Sequence, residues 1–134
     1  MAEERTFVML KPDCLKRGLT GEIIARIERK GYRIADAKMM QLGKDILREH
    51  YAHQADKPYY PRIESFMMSG PVLCLIVEGQ NAVTGVRILM GATAFEEGKA
   101  GTIRGDYAYC MGENLIHGSD SAENAEIEII RFFG

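Results

Sequence analysis

The chain has 134 residues, 46 % of them hydrophobic and 27 % charged, with a formal net charge of -2. That length fits one domain spanning 1–134, able to bury roughly two-thirds of its unfolded surface without disulfides or a structural metal. The balanced charge excludes the basic excess of a protein that coats nucleic acid, so bulk nucleic-acid binding is not expected, but it leaves room for a basic pocket holding a small anion.

Three cysteines (Cys14, Cys74, Cys110) are an odd, widely spaced set with no C-x-x-C pair. They argue against a disulfide framework or zinc site and for a reducing compartment. The amino terminus lacks the basic-then-apolar pattern of a signal peptide. The longest apolar run, residues 72–77, has six residues, against the ~20 that span a bilayer. A soluble, cytoplasmic domain with no membrane partner is the expectation.

Residues 6–10 (TFVML) are strand formers ended by Lys11-Pro12-Asp13, and they predict a central strand covered on both faces. Thr20 is placed to cap a helix presenting Ile23, Ile24 and Ile27 on one side and stopped by Gly31. Residues 32–42 suggest a second strand. Two short amphipathic helices follow over 44–52 and 62–68, with Ile46, Leu47, Tyr51 and Ile63, Phe66, Met67 inward. Ser69-Gly70-Pro71 is a hard stop before a strong strand at 72–77. Asn81 is placed to cap a helix carrying Val83, Val86 and Met90, closed by Gly91.

From 93 to 112 the pattern becomes glycine-rich and irregular, and loops of that length are often functional. Residues 115–117 suggest a short strand. Asp120 and Glu123 have capping-box spacing before a helix expected to bury Ala125, Ile129 and Phe133. This order of elements suits an α+β, ferredoxin-like βαββαβ core: a four-stranded antiparallel sheet with helices on one face and a long glycine-rich loop. A small doubly wound parallel sheet is the alternative. Apolar residues on both faces of the first and third strands then call for cover on the open face, with a second subunit as one candidate.

The common nucleotide motifs are absent: there is no G-x-x-x-x-G-K-[ST], nor a G-x-G-x-x-G after a strand. His50 and His53 have a spacing a metal can use, but no third ligand is near in sequence, and packing or surface roles are the default. His117 differs. It ends an apolar strand just before a helix amino terminus, where exposed N–H groups favour an anion. A neutral imidazole is a competent nucleophile once a partner fixes its other nitrogen, and Glu128 is a plausible partner. A Ser-His-Asp arrangement of Ser119, His117 and Asp120 is disfavoured, because triads are built from residues distant in sequence. Lys11, Arg87 and Arg104, with Thr93 and Thr102, hint at a polyphosphate clamp.

Thr6-Phe-Val-Met-Leu-Lys11-Pro12-Asp13, Gly91-Ala92-Thr93, Gly101-Thr-Ile-Arg104-Gly105-Asp106 and Asn114-Leu-Ile-His117-Gly-Ser119-Asp120-Ser121 together resemble nucleoside diphosphate kinases over residues 5–133. The resemblance implies transfer of the γ-phosphate of a nucleoside triphosphate such as ATP to diphosphates such as GDP, by a ping-pong route through phosphohistidine. It implies His117 as nucleophile, Glu128 orienting its ring and Ser119 nearby. Lys11, Tyr51, Arg87, Thr93 and Arg104 would hold phosphates, and Asn114 with Lys11 the ribose hydroxyl. Tyr59 and Met111 would flank the base. Mg²⁺ would arrive on the substrate phosphates rather than in a protein cage, and the assembly would be a homo-oligomer, hexamer or tetramer. Three positions depart from the family pattern: Cys14 for Gly, Ala94-Phe95 for Asn-Pro, and Lys99-Ala100 for x-Pro. The rival expectation is a non-catalytic, nucleotide-binding regulatory module on the same fold.

Overall fold

The computed structural model describes residues 3–134. The elements run β1 (Glu3–Leu10), α1 (Pro12–Lys16), α2 (Thr20–Lys30), β2 (Arg33–Met40), α3 (Lys44–His50), α4 (Tyr60–Met67), β3 (Val72–Gln80), α5 (Ala82–Met90), a 3-10 turn (Phe95–Glu97), α6 (Ile103–Tyr107), β4 (Ile116–Gly118) and α7 (Ala122–Phe133). The sheet order is β2-β3-β1-β4. Every adjacent pair is antiparallel. This is the ferredoxin-like order, and it removes the parallel-sheet alternative.

Side chains alternate across a strand, so β1 feeds two cores. Val8 and Leu10 meet Leu75 and Val77 of β3 beneath Ile23 and Ile27 of α2 and Val86 and Met90 of α5. Phe7 and Met9 face the other way, against Leu47 of α3, Met67 of α4, and Ile129 and Phe132 of α7. Phe7 and Phe132 stack with ring centroids 4.8 Å apart, a contact worth roughly 0.5–1.5 kcal/mol beyond area burial. The second face is therefore covered by the chain's own helices, not left for another subunit. The expectation of helices on one face only is corrected accordingly.

Local boundaries differ where backbone geometry decides them. Leu19, not Thr20, holds the position before α2, with no side-chain cap. Its carbonyl already accepts from the Ile23 N–H at 3.0 Å, which starts the helix one residue early. Asn81 precedes α5 in a left-handed conformation, φ 55°, and its side chain caps nothing. The Val83 N–H instead donates to the Glu4 carboxylate at 3.1 Å. At α7 the cap is Ser121, whose hydroxyl accepts from Asn124 N–H at 3.0 Å. Asp120 turns to the Asn124 amide instead. Phe132 rather than Phe133 is buried, because 125, 129 and 132 follow the helical repeat.

The glycine-rich stretch is not wholly irregular. Thr102 caps α6, its hydroxyl accepting from Gly105 N–H at 2.9 Å. A Cβ at Gly105 would fall 1.8 Å from the Lys99 carbonyl oxygen, so no larger residue fits this fold-back. Asp106 bonds the Gly101 N–H at 2.8 Å and pairs with Arg26 of α2 at 2.8 Å. These contacts fix the loop to the body of the domain. Among the described residues, no helix is long and apolar enough to cross a membrane.

Candidate active site

The end of β1, the β4 strand and one face of α7 meet around a cavity of about 530 Å³. Parity on β4 decides what points where. His117 pairs with Met9 of β1, so its ring lies on the face covered by α3 and α7. Ile116 joins the opposite core. Gly118 passes so close to α5 that a Cβ there would sit 2.5 Å from the Met90 sulfur.

The His117 Nε2–H donates to Glu128 Oε1 at 2.9 Å. The buried Ser119 hydroxyl donates to the same oxygen at 2.5 Å. Burial works to raise the Glu128 pKa, but hydrogen bonding and charge from His117, with the Ser119 bond, outweigh it and hold the carboxyl below its ordinary value. An ionised Glu128 only accepts, so Nε2 carries the ring proton and the Nδ1 lone pair is free.

His50, from the last turn of α3, was not singled out by the sequence as a site residue. It is 8 % exposed, with its ring centroid 4.8 Å from that of His117. Arg131 Nη1–H donates to its Nδ1 at 2.9 Å. A guanidinium cannot accept, so His50 is neutral, and burial followed by the proximity of His117 pushes its pKa down to about 3. In the sequence it stood only as one of two histidines at a spacing a metal can use, with a packing or surface role as the default; its approach to His117 depends on how α3 packs against α7. Candidate metal-ligand atoms of His50, His117 and Glu128 lie within 4.8 Å of one another, while His53 stands apart, beside Gln54.

Lys11, Arg87 and Arg104 line the same cavity. Lys11 Nζ–H donates to Asn114 Oδ1 at 2.9 Å. Burial, then the charge of Arg104, lowers the Lys11 pKa to about 8. Arg104, 5 % exposed, donates to the carbonyls of Asn114 at 3.3 Å, Gly91 at 3.2 Å and Ile116 at 2.5 Å. These partners are all carbonyls, and burial, then Arg87, lowers its pKa to about 10. Arg87 donates to the Gly118 carbonyl at 3.2 Å. Tyr51 and Thr93 also line the cavity, Tyr51 with its ring centroid 4.9 Å from that of His50; burial, then Tyr60, raises the Tyr51 phenol to about 12.

Lys11, Tyr51, Arg87, Thr93, Arg104, Asn114, His117 and Glu128 thus converge on one cavity. Ser119 stands behind it, in contact with Glu128. Tyr59 and Met111 do not line it; they are 52 % and 70 % exposed.

Leu115 lies between Asn114 and His117 with φ 75°. The Ile116 N–H bonds the Asn114 carbonyl at 2.9 Å, which closes a γ-turn of the rare, strained kind. Such a sparsely populated backbone conformation costs a residue with a Cβ roughly 1–3 kcal/mol. The turn nevertheless sends Leu115 and Ile116 into the core and leaves Asn114 and His117 at the cavity.

The sheet order and this cleft define the class: a ferredoxin-like α+β domain with a histidine–carboxylate pair in a cavity that Lys11, Arg87 and Arg104 also line. A family model described as nucleoside diphosphate kinase matches residues 4–134. A nucleoside diphosphate kinase of Thermus thermophilus is 51 % identical over 130 residues, covering 97 % of this chain and 95 % of the relative. One from Exiguobacterium sibiricum is 52 % identical over 130 residues, covering 97 % and 94 %. The crystal structure of the Encephalitozoon cuniculi enzyme, without ligand, superposes with a TM-score of 0.94 at 44 % identity, covering 98 % of this chain and 89 % of that one. A halophilic enzyme from Halobacterium salinarum, in complex with CDP, does so with a TM-score of 0.94 at 47 % identity, covering 98 % and 88 %. The chain belongs to the nucleoside diphosphate kinase family.

Proposed function

We propose that this protein transfers the γ-phosphate of a nucleoside triphosphate, chiefly ATP, to nucleoside diphosphates such as GDP, through a phosphoryl group carried on His117 Nδ1. The observation that carries the reading is the Nε2–H bond to Glu128, which leaves Nδ1 free beside Lys11, Arg87 and Arg104. In the first half-reaction the Nδ1 lone pair attacks the γ-phosphorus, the bond to the bridging oxygen breaks, and the diphosphate leaves. In the second, a β-phosphate oxygen of the acceptor attacks the same phosphorus and the N–P bond breaks. Phosphoryl transfer asks for positioning and charge stabilisation. Lys11, Arg87 and Arg104 neutralise phosphate oxygens, Tyr51 and Thr93 add hydroxyls, and Glu128, braced by Ser119, stabilises the charge the ring gains.

Asn114 and Lys11 hold the ribose hydroxyl in this reading, and Tyr59 and Met111 flank the base at the exposed edge. Stacking reads no base edge, so several bases are accepted. The cavity suits Mg²⁺ brought by the nucleotide: Lys11, Arg87 and Arg104 line it, and its carboxylates are engaged, Glu128 by His117 and Ser119, Glu49 by Arg131 and Asp120 by Asn124. Mg²⁺ then supplies neutralisation of phosphate charge. The domain spans 1–134 and acts in the cytoplasm, where its cysteines stay reduced.

A homo-oligomer, hexamer or tetramer, is part of the proposal. Its support is the free edge of β2, where Met39 is 60 % exposed, rather than an uncovered sheet face. A regulatory binding module would not need an oriented histidine. Incubation with ATP-Mg²⁺ without acceptor, followed by intact mass measurement, tests the reading. A phosphate-sized increase that is lost in His117→Ala supports it; an increase that persists there, or maps to Ser119, overturns it.

A further inference from the structure

The strained turn at Leu115 is held from both sides by the segment that follows β1. The Lys11 backbone N–H donates to the Leu115 carbonyl at 2.9 Å. The Leu115 N–H donates to Asp13 Oδ2 at 3.1 Å. Asp13 is 4 % exposed, and its other oxygen, Oδ1, is buried with no partner. A buried, half-satisfied carboxylate is a poor device for stability, because a charged group is stable in the interior only when it is fully hydrogen-bonded or paired. Burial pushes the Asp13 pKa up, against the lowering influence of Lys11 and of the backbone N–H groups of Asp13, Cys14 and Leu115.

What Asp13 does hold is the peptide between the two residues that face the cavity. Asn114 lies before Leu115 and His117 two residues after it. If the Leu115 N–H lost its acceptor, nothing on that side would keep the residue in the left-handed region. Relaxation to an ordinary conformation would swing the Asn114 carbonyl away from Arg104 and shift β4 against β1. Asp13 itself does not line the catalytic cavity.

We infer that Asp13 is a positioning residue for phosphoryl transfer: by accepting the Leu115 N–H it maintains the γ-turn that aims His117 Nδ1 and Asn114 into the cavity. The inference rests on His117 being the phosphoryl carrier. Pro12 begins α1 directly after Lys11, so one short turn delivers both Lys11 to the cavity and Asp13 behind it.

The test is the single-turnover rate of His117 phosphorylation at saturating ATP-Mg²⁺ and pH 7, with folding checked by circular dichroism at the assay temperature. Asp13→Asn keeps an acceptor oxygen in place, and a rate within about threefold of the unaltered protein is expected. Asp13→Ala removes the acceptor, and a loss of about ten- to a hundredfold is expected, by analogy with residues that orient metal ligands. The apparent ATP affinity should change less than the rate. If Asp13→Ala does not fold, Asp13→Glu replaces it; the longer arm retains the charge but displaces the oxygen, and the same loss is expected. A folded Asp13→Ala or Asp13→Glu that phosphorylates at the unaltered rate overturns the inference, as does an Asp13→Asn that loses as much as they do. Failure of the unaltered protein to phosphorylate His117 overturns the functional reading instead.

Discussion

Removing Glu128 should slow phosphorylation of His117 without abolishing it. The carboxylate accepts from His117 Nε2 at 2.9 Å, and its side chain is only 13 % exposed, so water replaces it poorly. A hydrogen bond to a charged group contributes about 1.5–3 kcal/mol. The bond strengthens as the ring gains positive character, so most of that value falls on the transition state. At ~1.4 kcal/mol per tenfold, Glu128→Ala should lower the rate about ten- to 150-fold. Glu128→Gln keeps an acceptor but loses the charge, and a neutral bond contributes about 0.5–1.5 kcal/mol. The Gln variant should therefore fall between the Ala variant and the unaltered protein. The Ser119 hydroxyl retains the Phe7 carbonyl at 3.4 Å, so the fold should survive either change. Quenched-flow phosphorylation with ATP-Mg²⁺, alongside steady-state kcat and KM, measures the effect. A Glu128→Ala rate within twofold of the unaltered protein, or a loss confined to KM, would refute the orienting role.

Tyr59→Ala should weaken ADP, GDP and CDP binding by similar factors, on the order of 1–3 kcal/mol for lost stacking; calorimetric titration showing loss for one base alone would reveal an edge-reading contact instead. The His50 pKa of about 3 lies below the unfolded value of about 6.5. The unfolded chain then binds a proton that the folded one does not, so stability present above about 6.5 is lost as pH falls toward 3. Urea unfolding at pH 7, 5.5 and 4.5 should show a shallower loss in His50→Gln, which retains an acceptor for Arg131, and equal slopes would disprove this. Phe95 is half-buried in the 3-10 turn, where the family usually has proline. Phe95→Ala should remove about 1 kcal/mol of burial and lower the melting temperature by about 3–5 °C, which scanning calorimetry checks; an unchanged melting temperature would mean that the side chain contributes no packing.

Much of this architecture was written into local patterns. Runs of apolar residues at 6–10 and 72–77 demand burial on both faces, which only interior strands provide, and these became β1 and β3. The helical repeats of Ile23 with Ile27 and of Ala125 with Ile129 set which faces of α2 and α7 turn inward. Lys11, His117 and Arg104 stood out because motif residues sit at strand ends and in a glycine-rich loop, and the fold brings them to one cavity.

Other features belong to the tertiary structure alone. Helix caps at Ser121 and Leu19 were displaced by one residue from their expected places, since a cap depends on backbone direction that neighbouring elements set. Cover for the Phe7 and Met9 face came from α3, α4 and α7, because apolar periodicity records that a face is buried but not what buries it. His50 reached His117, and Asp13 reached Leu115, across 67 and 102 residues of chain. Such meetings are fixed by sheet register and helix packing, in which backbone hydrogen bonds are indifferent to side-chain identity. The sequence determines which residues need a buried, charged or strained environment; only the paired sheet and its packed helices determine which of them share one.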